Sequence, residues 1–499
     1  MHATAPLLLL LAAACSLGAP RNTSFPQGFL FGASSAAYQV EGAWNTSGRG
    51  ESNWDRLIHR HPECISNEAT ADVAADSYHK YQEDVRAAKE VGFDFYRFSI
   101  SWPRIMPQGN LSLINQDGID YYNNLINALL ANNIQPVVTM FHWDLPQSLQ
   151  DLGGLMNPAI VDYFEDYARL LYTTYGDRVK LWTTFNEPYE ISVGLTSACE
   201  APADLVSPGF GEYLAMHNLL KAHATAYRLY DREFRRRQGG KVGITLSAAW
   251  AVPKSQSAAD LEAAERYLQF TVGWFAHPIF SQEGDYPSVM KERVARNSKA
   301  EGLRRSRLPE FGPEWVDYIK GSYDFFGLNH YTTKILSEPA TATVSQISMA
   351  NDMGNLVTEQ DDAWPYGAAT YFRYVPFGMR NILKWVSERY NGVDILITEN
   401  GWCDSGELND TMRTRFYVNY LAAVLDAIYL DNVQVIGHAA WSLIDNFEWA
   451  SGYSMKFGLY YVDFNDPDRP RVPKDSSKVY ASMIKNRSLP EEYLDKVEE

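Results

Sequence analysis

Two glutamates occupy positions where a side chain can do chemistry. Residues 180–190 read Lys-Leu-Trp-Thr-Thr-Phe-Asn-Glu-Pro-Tyr-Glu. The β-branched and aromatic run Leu181 to Phe185 predicts a buried strand. It delivers Asn186 and Glu187 at its end, and Pro188 then stops the ladder because it has no N–H to donate. A carboxylate at the end of a buried strand is costly to desolvate, so it caps a helix, pairs with an Arg, or works as a catalyst. The run Asp394 to Glu399 ends the same way, with Glu399 followed by Asn400. Two carboxylates on separate strands suggest acid–base and nucleophilic work by a carboxyl pair. The ten His and four Cys form no His-x-x-x-His helix and no clustered Cys/His pattern, so neither a metal site nor a cofactor is expected. A Gly-x-Ser-x-Gly elbow and a P-loop are both absent from the sequence.

Something must hold the two strand ends together. Eight strand candidates run along the chain: Phe29 to Ser34, Phe93 to Ile100, Pro136 to Trp143, Leu181 to Phe185, Lys241 to Ala248, Asp324 to Tyr331, Asp394 to Glu399 and Val435 to Leu443. Amphipathic helices separate them: Ser77 to Glu90, Asp117 to Asn132, Asn157 to Tyr175, Gly211 to Phe234, Asp260 to Phe280, Phe377 to Tyr390 and Asp410 to Leu430. In the third of these, Asn157 is the expected cap, Pro158 the first helical residue and Gly176 the stop. Strands alternating with helices imply parallel pairing through right-handed crossovers. Eight of them, without a Gly-rich phosphate fingerprint after the first, predict an α/β fold: a single (β/α)8 barrel with elaborated βα loops, in place of an open doubly wound sheet.

Barrel enzymes work at the C-terminal ends of their strands. Those ends offer Gln39, Arg97, His142 with Trp143, Asn186 with Glu187, Asn329 to Tyr331, Glu399, and Trp441 with Glu448 and Trp449 beyond it; the fifth end offers little. Carboxylates, amides, a His and several Trp make a polar pocket with stacking walls, which suits a hydroxyl-rich ligand. Trp102 and Trp143 are expected to pack rather than bind.

A net charge of −17 argues against nucleic acid and anionic membranes as partners. Residues 1–20, with the apolar run Leu7 to Ala14 followed by small residues, are expected to be a secretory signal, leaving 21–499 as one domain. Sequons at Asn22, Asn45, Asn110, Asn409 and Asn486 fit a secreted, extracellular glycoprotein. No later run is long enough to span a bilayer, and the terminal Lys-Val-Glu-Glu carries no retention signal. Cys64, Cys199 and Cys403 then remain, which allows at most one bridge and leaves the pairing open. Oligomeric state is not legible.

Thr184-Phe185-Asn186-Glu187-Pro188 and Ile397-Thr398-Glu399-Asn400-Gly401 resemble the two signatures of glycoside hydrolase family 1, the β-glucosidase family. The likeness extends from Gly28 to Tyr480 and includes Tyr38 to Ala43, Phe95 to Trp102, Phe141 to Pro146 and Trp441 to Trp449. It implies a retaining β-glycosidase, similar to secreted animal β-glucosidases, acting on a small β-glucoside or cello-oligosaccharide. In that reading Glu399 is the nucleophile and Glu187 the acid/base. Arg97 and Tyr331 keep Glu399 ionised, while the nearby charge keeps Glu187 protonated. Gln39, His142, Asn186, Glu448 and Trp449 bind hydroxyls, Trp441 stacks under the ring, and Phe457 closes the pocket. Glu448 disfavours a 6-phosphate. Many members carry a stacking Trp where Tyr371 stands here; Tyr371 and Glu190 are expected to tune the leaving-group side. Glu187 is retained where plant thioglucosidases of the family typically have Gln, so an O-glycosidase is the default. A thioglucosidase, a transglycosylating enzyme and a non-catalytic sugar-binding relative are the alternatives.

Overall fold

All eight apolar runs become parallel strands of one closed barrel in the computed structural model, which describes residues 21–196, 199, 206–340 and 346–496. The segment read as a signal peptide lies outside the described residues. The strands are β1 (Leu30–Ser34), β2 (Phe95–Ser99), β3 (Gln135–Phe141), β4 (Leu181–Asn186), β5 (Lys241–Ser247), β6 (Phe326–Asn329), β7 (Ile395–Asn400) and β8 (Val435–Trp441). Each pairs with its neighbours in sequence, and β1 closes the ring against β8. They read as near-continuous apolar runs because both faces are buried, one by the barrel interior and one by helices. Phe95, Val137, Phe325, Leu396 and Ala439 form a cluster inside the ring. Gly32 makes room for it: a Cβ there would lie 2.4 Å from the Phe95 ring.

The main helices are α1 (Ser77–Val91), α2 (Gln116–Ala131), α3 (Ile160–Tyr175), α4 (Pro188–Gly194), α5 (Gly211–Leu229), α6 (Ala258–Leu268), α7 (Trp274–Phe280), α8 (Pro376–Arg389) and α9 (Thr411–Asp431). α3 buries Ile160, Phe164, Tyr167, Leu171 and Tyr175, one stripe at helical spacing. Its C-terminal end falls at Gly176 as expected, while its start differs. Asn157 accepts from the Ala159 N–H at 3.0 Å, and the helix proper begins at Ile160, so Asn157 and Pro158 form the approach to the helix. Gly176 has right-handed backbone (φ −69°) and is no left-handed stop; its value is space, since a Cβ would meet the Gln238 amide at 2.1 Å. Two expected single helices are interrupted by π turns, at Tyr230–Phe234 after α5 and at Gln269–Gly273 between α6 and α7.

Two local features re-aim the strand ends. The ladder register shifts between Thr183 and Asn186 on β4 and between Ile397 and Glu399 on β7, directly before the two Asn/Glu pairs. Such irregularities rotate a side chain out of strict alternation. Cys199, beyond α4, is bonded to Cys64 across 135 residues. Cys403 is the remaining buried thiol among the described residues. No helix of the described residues is long and apolar enough to cross a membrane.

Candidate active site

Glu187 follows β4 with left-handed backbone (φ +50°) at the start of α4. A non-glycine residue there is strained, and the neighbours hold it: its N–H donates to the Thr245 carbonyl of β5 at 2.9 Å, and Pro188 fixes the next φ. Its carboxyl accepts from Asn329 Nδ2 at 2.7 Å. Burial, then the nearby Glu399, then Glu190 push the Glu187 carboxyl well above its usual range; Asn329 and Arg97 pull the other way and lose.

Glu399 ends β7 in a different environment. Arg97 Nη1 donates to it at 2.6 Å and the Tyr331 hydroxyl at 2.7 Å. Burial and the Glu399 charge hold the Tyr331 hydroxyl well above its ordinary range, so it stays an O–H donor. Arg97 is fully buried and fully used: Nε donates to Thr139 Oγ1 at 3.0 Å and Nη2 to Asn186 Oδ1 at 2.6 Å. Two glutamates at the same mouth thus receive opposite treatment. One meets a guanidinium and a phenol; the other meets a single amide.

The hydrogen-bond pattern also fixes a tautomer. Arg97 can only donate, so Asn186 presents its oxygen to Arg97 and its NH2 to His142 Nε2, 3.0 Å away. Burial and Arg97 press the His142 pKa well below its ordinary value, so the ring is neutral. Nε2 therefore accepts and Nδ1 carries the proton; His142 Nδ1 and Gln39 Oε1 have no protein partner among the described residues. Gln39 Nε2 donates to Asn446 Oδ1 (3.0 Å), the Phe447 carbonyl (2.9 Å) and Glu448 Oε2 (3.2 Å). Glu448 is pushed up to about 8, first by burial and then by Glu399.

These groups surround a cavity of about 500 Å3. Its lining includes Glu187, Glu399, His142, Tyr331, Glu448 and Phe457, with Trp441 and Trp449 as aromatic plates. Glu190 and Tyr371 stand on its outer side, Tyr371 being 53% exposed. Arg97, Asn186 and Gln39 lie fully buried behind the lining. Trp102 packs as expected, stacked on Tyr167 at 4.5 Å. Trp143 does not only pack: it lines the cavity, and its Nε1 donates to the Asn186 carbonyl at 2.9 Å.

Sequence reasoning placed Asn329 at the barrel mouth but gave it no role in holding the carboxyls. It bonds Glu187, contacts Asn186 Oδ1 at 3.2 Å, and accepts from Thr398 Oγ1 at 2.7 Å, so it ties β4, β6 and β7 together. An amide at a strand end, as with Asn186, was the available signal. The fifth strand end contributes more than expected, through the Thr245 carbonyl and a Ser247 hydroxyl that donates to Glu190 at 3.1 Å.

The sequence profile of glycosyl hydrolase family 1 matches residues 21–489. Myrosinase 1 of Brevicoryne brassicae is 47% identical over 92% of this chain and 98% of its own length. The cytosolic β-glucosidase of Homo sapiens is 42% identical over 93% of this chain and 99% of its own. A rice β-glucosidase, solved as a mutant in a covalent complex with Glc, superposes with a TM-score of 0.87 at 39% identity, covering 93% of this chain and 99% of that one. A closed eight-stranded parallel barrel, two differently held carboxyls at its mouth and a match over nearly all described residues lead to one conclusion: the chain belongs to glycosyl hydrolase family 1 and is a glycosidase.

Proposed function

We propose that this chain is a retaining β-glucosidase, with Glu399 as nucleophile and Glu187 as acid/base. The observation that carries the reading is the unequal environment of the two carboxyls. Glu399, faced by the Arg97 guanidinium and the Tyr331 hydroxyl, is the carboxylate that attacks the anomeric carbon. Glu187, raised by burial and by Glu399, carries a proton and gives it to the leaving oxygen as the glycosidic bond breaks. Ester formation removes the Glu399 charge, and with it part of what raised Glu187. Glu187 then ionises, takes a proton from water, and the water oxygen displaces Glu399 from the sugar. The sugar leaves with its β configuration.

Glu448 and Gln39 accept and His142 Nδ1 donates to glucosyl hydroxyls, Asn186 meets the 2-OH, and Trp441 carries the ring face. Phe457, whose ring packs edge-on against Tyr331 at 6.1 Å, closes the sugar end. Tyr371 and Glu190 flank the leaving group. A thioglucosidase is the second reading, favoured by the aphid myrosinase relative; the Glu187 carboxyl favours O-glycosides, whose leaving oxygen needs a proton. Secretion is part of the proposal: four of the five sequon asparagines are exposed and Asn110 is half-buried. Proton NMR of 4-nitrophenyl β-D-glucoside hydrolysis tests the reading. β-Glucose is expected as the first product; first-formed α-glucose, or turnover of β-thioglucosides alone, rejects it.

A further inference from the structure

His330, Asn400, His438 and Tyr480 are fully buried, and none of them lines the catalytic cavity. They form one line of hydrogen bonds that runs from the helix Asp475–Asn486, through β8 and β7, to the end of β6. Its direction follows from what each atom can do. The His330 carbonyl can only accept, so Asn400 turns its Nδ2 to it, at 2.6 Å, and leaves Oδ1 for His438. Burial pushes the His438 ring down to about 3, so it is neutral and has a single N–H. Asn400 Oδ1 lies 3.1 Å from His438 Nε2, which therefore carries that proton. Nδ1 is left to accept from the Tyr480 hydroxyl at 2.7 Å. Tyr417 of α9 packs edge-on against the same ring at 6.2 Å.

The far end of this line holds the peptide before Tyr331 from three sides. The His330 N–H donates to the Glu399 carbonyl at 3.0 Å, and its carbonyl accepts from Asn400. Its ring Nδ1 donates to the Ala248 carbonyl at 2.7 Å. The paired register of β6 and β7 ends at Asn329 opposite Glu399, so the Asn400 amide adds a link where the ladder stops. Asn400 follows Glu399 and His330 precedes Tyr331 in the chain, while the Tyr331 hydroxyl donates back to Glu399 at 2.7 Å. The four residues therefore close a ring. We propose that Asn400, oriented by His438 and Tyr480, is a positioning residue that fixes the Tyr331 hydroxyl on the Glu399 carboxylate. The inference rests on the reading of Glu399 as nucleophile and deepens it. An amide has two ends of nearly equal shape. Turned over, Asn400 would set its oxygen against the His330 carbonyl and its NH2 against His438 Nε2–H, losing both bonds.

The test is the pH profile of kcat/KM for 4-nitrophenyl β-D-glucoside. Its acidic limb follows the ionised fraction of the nucleophile in the free enzyme, and a hydrogen bond donated to a carboxylate favours that form. His438→Leu removes the donor to Asn400, so the limb should move to higher pH. The variant-to-wild-type ratio should fall by about tenfold from the plateau to the acidic limb. His438→Gln, whose amide N–H can reach Asn400 Oδ1, should restore the wild-type limb. Placed on Tyr331→Phe, His438→Leu should move the limb no further, because the hydroxyl through which it acts is gone. Where His438→Leu does not fold by circular dichroism, Tyr480→Phe is read in its place and should move the limb the same way. A limb unmoved in the folded variant, moved equally with and without the Tyr331 hydroxyl, or not restored by folded His438→Gln overturns this inference and leaves the glucosidase reading standing. Absence of turnover by the wild type overturns both.

Discussion

Asn329→Ala is a direct probe of how Glu187 is held. Asn329 Nδ2 donates to the Glu187 carboxyl at 2.7 Å, and that bond favours the charged form. Removing it leaves burial, Glu399 and Glu190 unopposed from that side, so the Glu187 pKa rises further. Glu187 must be protonated to act as the acid, and the alkaline limb of kcat/KM follows its protonated fraction in the free enzyme. The variant therefore keeps activity at higher pH than the wild type does. A hydrogen bond to a charged group contributes about 1.5–3 kcal/mol. The variant-to-wild-type ratio of kcat/KM should accordingly climb by about tenfold to a hundredfold between the acidic plateau and the far alkaline limb. Using the ratio removes any uniform loss from the disturbed Asn186 and Thr398 contacts. Glu190→Gln is the opposite perturbation: it deletes a charge that raises Glu187, so its ratio should fall as pH rises. Both profiles are read with 4-nitrophenyl β-D-glucoside in stopped assays, so that the released phenol is developed at one pH. Parallel limbs in all three proteins, or a ratio that falls for Asn329→Ala, would refute the assignment of Glu187 as the acid.

Two further expectations concern stability. Asp144, fully buried, has its carboxyl pushed up to about 8, chiefly by burial. The folded form therefore holds a proton that the unfolded chain has lost above about pH 4, and stability falls as pH rises towards 8. Asp144→Asn has no such proton to lose, so its melting temperature relative to wild type should increase from pH 5 to 8 and level off above; a pH-independent difference contradicts the neutral carboxyl. Breaking the Cys64–Cys199 bond by Cys64→Ser should cost about 2–4 kcal/mol in urea unfolding, and reductant should bring the wild type down to the variant while leaving the variant unchanged. Equal midpoints would mean that the bond constrains nothing.

Fold and site were legible to different depths. The barrel could be read because buried parallel strands are apolar on both faces, so β1 to β8 stand out as runs whatever surrounds them. Glu187 and Glu399 could be read because a carboxylate at the end of such a run has few other uses. The role of Asn329, itself visible at its strand end, could not, because it depends on which groups β4 and β7 bring to it, and an amide has several structural uses. Nor could the Cys64–Cys199 pairing, since three cysteines allow three pairings and only the folded chain brings one pair together. The π turns after α5 and α6 escaped for a related reason: the hydrophobic period continues through Tyr230 and Phe270 while the backbone register slips by one residue. The stop of α3 at Gly176 was legible, but the room that glycine leaves for Gln238 was not, because it is a contact between segments more than sixty residues apart.

The central claim is double displacement through Glu399, and a trapped intermediate tests it most directly. A 2-deoxy-2-fluoro-β-D-glucoside with a good leaving group slows both displacements, and the fluorine removes the 2-OH contact that Asn186 is proposed to make. The protein should inactivate with one equivalent of released phenol, gain the mass of one fluoroglucosyl group, and carry it on the peptide containing Glu399. A label on the Glu187 peptide, or inactivation without a covalent adduct, would contradict the account.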